Sequence, residues 1–320
     1  MGKKVEIEMW ANKIRPIAIA LILAALIFIP HWASRYVVNV LLLVCVYVAL
    51  ASMWNLLAGY SGMVSLGQQM FIGLGGYTLA VLSLYYKVPI YLSVLLGGTV
   101  SVILALIISM SIFRMKGVYF AIGTWVIAEA LGICFSNWGY VRYGMGLFIQ
   151  PAYKLSMTSI YYGAVIICVV SLSLVYFLLR SKLGLALMAV RDDDVASEAM
   201  GVNIFRCKLT CFLISAFITG TGAGILYLNT IFIQPFEAFG IGWTVKLLFI
   251  AIIGGIGTVG GPVIGAIIFV LLQQFLSEYV GYNLIILGAI TIAVIFFAPR
   301  GVLGTLQMKL GFELFPVRRQ

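Results

Sequence analysis

Charge is scarce in this sequence. Ten Asp and Glu and twenty Lys and Arg leave only 9% of 320 residues charged. A soluble domain carries about a quarter. A chain so poor in charge cannot cover a water-facing surface, and its 63% hydrophobic content marks an integral membrane protein. Histidine is almost absent: His31 stands alone, which excludes a multi-histidine metal site. The five cysteines (Cys45, Cys134, Cys168, Cys207 and Cys211) form no C-x-x-C pair and lie in or beside apolar runs, as small packing residues do. No G-x-x-x-x-G-K-[ST] loop is present, so ATP is not bound in that manner. "GLGGYT" and "GGIGTVGG" lack the flanking strand and helix of a dinucleotide site. No nucleophile and base fall together. The sequence reads as a non-enzyme without metal or cofactor. Its bases lie between apolar runs rather than in one patch, which excludes nucleic acid and fits loops beside membrane lipid.

What is present is a series of apolar runs near 16–33, 36–58, 64–85, 89–113, 117–138, 159–179, 208–230, 244–259, 262–280 and 283–299. Each approaches the roughly 20 residues that cross a bilayer core. The expected fold is an all-α polytopic bundle of about ten transmembrane helices with glycine-broken segments. With the N-terminus inside, fifteen Lys and Arg fall on the inner side and five (Arg35, Lys87, Arg142, Lys154 and Lys246) on the outer. That bias places both termini in the cytoplasm. The basic N-terminus and first apolar run resemble a signal peptide, but a similar run follows at once, so a retained first helix is expected. Trp10, Trp32, Trp138 and Trp243 lie near predicted interfaces, and Trp54 and Trp125 lie deeper. Lys246 and Glu278 are placed to reach an interface from helix ends.

One inner loop, 180–207, "RSKLGLALMAVRDDDVASEAMGVNIFRC", concentrates charge. Arg191, Asp192, Asp193, Asp194 and Glu198 in lipid would cost about 12–18 kcal/mol. The stretch reads as a short docking helix capped by one of the aspartates and stopped at Gly201. Val195, Ala199 and Val202 form its apolar face; a solvated linker is the alternative.

"GYSGMVSLGQQMFIGLGGYTLAVL", residues 59–82, holds six glycines by position 76. Either Gly67, Gly73, Gly75 and Gly76 allow close helix packing, or the helix is broken and its free backbone faces a water-filled path. Ser65, Gln68 and Gln69 add polar groups beside the break. A second interruption, "IGGIGTVGGPVIGA", includes Gly254, Gly255 and Gly257. Two interrupted segments in the two halves of a chain are a pointer to a transport path. Glu129, the one acid deep in a span, is read as a helix-bridging group, a lining of that path or a proton relay.

The 59–82 stretch resembles the signature of permease subunits of ABC importers for branched-chain amino acids, the LivM/LivH type, and more closely LivM. "AVRDDDVASEAMGVN…KLTCFLISAFITGTGAGILY", "GGIGTVGGPVIGA" and "PRGVLG" resemble three further blocks of that family in the same order, over roughly residues 50–305. "GYVRYGMGLFIQP" at 139–151 departs from it, since threonine and paired glycines are usual there. The resemblance implies one permease domain over 1–320 in the cell membrane. It also implies a LivH-like sister permease, an external solute-binding protein and two cytoplasmic ATPases that hold ATP and magnesium. It makes Arg191, Asp192, Asp193, Asp194, Glu198, Ala199 and Gly201 the ATPase-coupling element. Urea importers share the subunit type. An ion-coupled transporter using Glu129 and a passive channel are the other readings.

Overall fold

The computed structural model describes residues 21, 23–276, 283–298 and 301–310. Of the first expected span, 16–33, residues 16–20 and 22 lie outside them, as do Trp10, Glu278 and both termini. Among the described residues thirteen α-helices follow Ser34, whose hydroxyl accepts the Val37 amide hydrogen and starts the first of them. They are α1 (Arg35–Asn55), α2 (Gln69–Leu84), α3 (Ile90–Ile112), α4 (Val118–Asn137), α5 (Met157–Arg180), α6 (Lys182–Asp192), α7 (Asp194–Ala199), α8 (Ile204–Thr230), α9 (Pro235–Ala238), α10 (Gly242–Gly254), α11 (Gly261–Leu276), α12 (Asn283–Phe297) and α13 (Gly301–Leu310). Six helical stretches among the described residues are long and apolar enough to cross a membrane. Gln69–Leu84 and Gly261–Leu276 are apolar but shorter, with 16 residues each. At 1.5 Å per residue these reach about 24 Å, short of a bilayer core of about 30 Å.

The long helices separate two ends of the bundle. α5 and α8, of 24 and 27 residues, both have one end at α6 and α7. Their far ends lie at the 139–156 and 231–241 connections, where β1 (Leu147–Phe148) and β2 (Phe232–Ile233) pair antiparallel. Tyr85, in the α2–α3 connection, donates its hydroxyl to Tyr140 O at that hairpin end. Phe113, in the α3–α4 connection, meets Phe205 at the charged end. Loops therefore alternate between ends as the spans require.

Three boundaries differ from the sequence reading. The 64–85 run is helical only from Gln69. Residues 180–207 hold two helices, because Gly184, Leu187 and Val190 give α6 a buried face. The 244–259 run is helical over Gly242–Gly254 and then breaks at Gly255, while α9 lies between this run and the 208–230 run before it. Positive φ at Gly255 and Gly257 accounts for that break.

The core is α2, α3 and α8 packed together, with α1 lodged between α5, α8, α10 and α11. Lys246, near the hairpin end of α10, lies 4.3 Å over the Trp243 ring, a cation–π contact.

Candidate functional site

The break after α1 begins with a widened turn. Leu56–Tyr60 is π-helical, Ser61 Oγ donates to Leu57 O at 2.7 Å, and Gly62 takes φ +70°. The chain then runs without helical bonds to Gln68, and side chains supply the missing partners. Trp54 Nε1 donates to Ser65 O at 2.9 Å, and Thr124 Oγ1 accepts from Leu66 N at 3.1 Å. Ser65 Oγ accepts from Gly67 N at 3.2 Å. Buried backbone that leaves a helix must find such bonds. Gly67 presses on α4 so closely that a Cβ would lie 2.2 Å from Thr124 O.

The second break, 255–260, meets the first. Asn55 spans them: its Nδ2 donates to Thr258 O at 2.9 Å and its Oδ1 accepts from Gly257 N at 2.8 Å. A Cβ on Gly59 would lie 2.6 Å from Gly257 N. Gly301, opening α13, approaches Gly255 so closely that its Cβ would lie 2.5 Å from the Gly255 backbone. Arg191, at the end of α6, completes the cluster by donating Nη1 to Gly59 O at 2.8 Å. The stretches that carry the family resemblance, far apart in sequence, thus converge on one node at the charged end.

Around that node the acidic loop is ordered by its own side chains. Asp193 is the aspartate that caps α7, its Oδ1 accepting from Val195 N and Ala196 N at 2.8 and 3.1 Å. Asp194 pairs with Lys208 at 2.9 Å, fastening α7 to α8. Asp192 accepts from Arg191 at 3.1 Å in an exposed pair, worth little by itself. Gly201 stops the helix with φ +84°. Val195 and Met200 are 72% and 71% exposed. Ala199 and Glu198 are exposed too, and Val202 is half-buried.

Beyond the break, α2 carries the polar pair. Gln68 and Gln69 are fully buried. Gln68 Nε2 donates to Ser215 Oγ and Thr219 Oγ1, both at 2.8 Å, and Gln69 Oε1 accepts from Thr244 Oγ1. Gly73 lies under the Phe239 ring and Gly76 against Tyr227, while Gly75 touches the backbone of Gly220 on α8. Gly254 presses on Gly261 across the α10–α11 turn, its Cβ position 1.9 Å from Gly261 O. Glu129 stands apart from these groups. It is half-buried on α4 and accepts from Trp125 Nε1 at 3.2 Å, one turn away.

Asn55, Thr244, Ser215 and Thr219 are working partners that the sequence reading did not single out. Only Asn55, a lone amide at the end of an apolar run and just before the glycine block, carried a visible signal. Asn55→Leu should lower folding stability by about 1–3 kcal/mol, since it strands the Gly257 amide and the Thr258 carbonyl. Thermal unfolding of the purified protein in detergent checks it, with exposed Thr99→Ala expected to be neutral.

Residues 36–298 match the family described as branched-chain amino acid transport system / permease component. The high-affinity branched-chain amino acid transport system permease protein LivM of Salmonella typhimurium is 26% identical over 306 residues, covering 86% of this chain and 71% of that protein. LivM of Escherichia coli K12 gives the same figures, 26%, 86% and 71%. LivH of Escherichia coli K12 is 29% identical over 135 residues, 42% of this chain and 43% of LivH. No solved structure matches. On the extent of the family match, the chain belongs to the permease components of branched-chain amino acid transport systems.

Proposed function

We propose that this chain is the membrane-spanning permease of an ATP-driven importer of branched-chain amino acids, with about ten spans and both termini in the cytoplasm. It works beside a LivH-like sister permease, an external solute-binding protein and two cytoplasmic ATPases that bind ATP and magnesium. The observation that carries this reading is the hydrogen bond from Arg191 to Gly59 O. It joins a charged, partly apolar surface helix to the two helix breaks. Val195, Ala199 and Met200 present a small apolar face beside Glu198, suited to a groove on an ATPase. Closure of the ATPase pair would then pull on α6 and α7 and, through Arg191, on the break after α1.

The ion-coupled alternative places its weight on Glu129, and the local geometry favours a structural role. The carboxylate bonds to Trp125 on its own helix and meets neither break. The test is uptake of labelled leucine into proteoliposomes. Uptake should require all the subunits and ATP, and Glu129→Gln should keep it within about threefold. Gradient-driven uptake by this chain alone, abolished in Glu129→Gln, would overturn the reading, and labelled urea in place of leucine would revise the cargo.

A further inference from the structure

Six buried side-chain polar atoms have no hydrogen-bond partner among the described residues: Ser52 Oγ, Tyr60 OH, Gln68 Oε1, Gln69 Nε2, Tyr77 OH and Tyr227 OH. Leaving such an atom unmet forfeits its hydration with nothing in return, so a core that keeps several calls for a reason. Their distribution supplies one. Three lie at the start of α2 or on it, and Tyr227 presses on it where Gly76 leaves room for its ring. Gln69, Gly73 and Gly76–Tyr77 follow one another at helical spacing, so this is one face of α2.

The two amides at the head of α2, Gln68 just before it and Gln69 on that face, are oppositely presented. Gln68 spends its Nε2 on Ser215 and Thr219, which leaves its carbonyl oxygen as an unused acceptor. Gln69 spends its carbonyl oxygen on Thr244, which leaves its NH2 as an unused donor. Acceptor and donor thus stand on adjacent residues with no formal charge between them. Further along the same face come rings: Tyr77 stacks on Phe239 at 6.0 Å, and Phe135 lies 4.8 Å from Tyr77 and 5.0 Å from Phe239.

We propose that Gln68 and Gln69 form a transit station for the two poles of a zwitterionic α-amino acid. Gln69 Nε2 donates to the carboxylate, Gln68 Oε1 accepts from the ammonium, and the apolar side chain lies on the Tyr77, Phe135 and Phe239 rings. The inference rests on the proposed transport function and adds to it the groups that meet the cargo. Neutral dipoles suit this task. A fixed charge would hold one pole of the zwitterion strongly and slow its release, whereas single hydrogen bonds to neutral groups are weak enough to allow passage. Both amides are sealed in this structure, so the station meets cargo only when α2 parts from α8 and α10.

The test uses the whole importer in proteoliposomes, with leucine-loaded binding protein at saturation, and measures leucine moved per ATP hydrolysed. Gln68→Met and Gln69→Met should each lower that ratio at least tenfold while stimulation of ATP hydrolysis persists. Ser52→Ala, which removes a buried unmet hydroxyl away from α2, should leave it unchanged. If a methionine variant fails to assemble, the asparagine variant at the same position decides, since it keeps the amide chemistry and should move leucine at a third or more of the wild-type ratio. An unchanged ratio in the methionine variants, or loss of hydrolysis and uptake together in assembled complexes, would overturn the station. Failure of the wild-type importer to move leucine at all would instead remove the transport reading beneath it.

Discussion

Arg191→Gln is expected to reduce amino-acid uptake tenfold or more while leaving the chain folded and bound to the ATPases proposed for it. The guanidinium lies where three segments meet. It donates to Gly59 O at 2.8 Å, and its Cγ would stand 3.3 Å from any Cβ on Gly62. Its Nη1 is 3.8 Å from the corresponding position on Gly257. Gly62, at φ +70°, and Gly257, at φ +76°, keep the backbone in shapes that let the side chain lie along both breaks. A charge-assisted bond to a carbonyl contributes about 1.5–3 kcal/mol, enough to shift a two-state linkage by tenfold or more. α7 itself is held separately, by Asp193 capping and by the Asp194–Lys208 pair. Loss of Arg191 should therefore uncouple α6 and α7 from the breaks without unfolding them. Arg191→Lys keeps the charge but offers a compact ammonium in place of a planar fork, and should recover part of the uptake. The measurement is leucine uptake beside ATP hydrolysis and co-purification of the ATPases. Full uptake in Arg191→Gln would show that force reaches the breaks by another route.

Much of this organisation was legible in the sequence because membrane physics writes it coarsely. Apolar runs, a charged loop that lipid cannot hold and glycines in place of helix formers each leave a local mark. A cap by one of Asp192–Asp194 and the stop at Gly201 were readable for the same reason, since both depend on neighbours in the chain, whereas the choice of Asp193 came with the structure. What could not be read was tertiary. Nothing near Gly59 announces that Gly257 lies against it, and nothing in Arg191 distinguishes an arm reaching a partner from one turned inward onto a carbonyl. The α10 boundary was misplaced because "IAIIGGIGTVGG" stays apolar through the break, and apolarity alone cannot mark where left-handed backbone begins. The glycines of 59–76 also divide in a way that no spacing rule shows. Gly62 and Gly67 belong to irregular backbone, whereas Gly73, Gly75 and Gly76 sit in a continuous helix against a ring, a backbone and a second ring.

That division gives the largest stability effect expected in the molecule. Gly75→Leu should leave almost no folded protein, and even Gly75→Ala should be strongly destabilising. A Cβ at Gly75 would lie 2.2 Å from Gly220 O and 2.7 Å from its carbonyl carbon and Cα, all backbone atoms that no rotamer change can move. A Cβ at Gly220 would in turn lie 2.3 Å from Ser101 Oγ and 2.9 Å from Gly97 O, and one at Gly97 would lie 2.8 Å from Gly75 O. Three glycines from α2, α3 and α8 thus make one close contact, and a methyl at any of them must push two helices apart. Helix propensity alone would give the opposite sign, since alanine is favoured over glycine by about 1 kcal/mol in a helix interior. Gly242→Ala supplies the contrast: nothing lies within 4 Å of its Cβ position at the start of α10, so it should be neutral or stabilising. Yield of monodisperse protein in detergent and its thermal unfolding decide the comparison. Should Gly75→Ala fold like the wild type, the three helices must be able to separate at that contact. The junction of α2 and α8 would then belong with the moving parts, on the same seam that closes over Gln68.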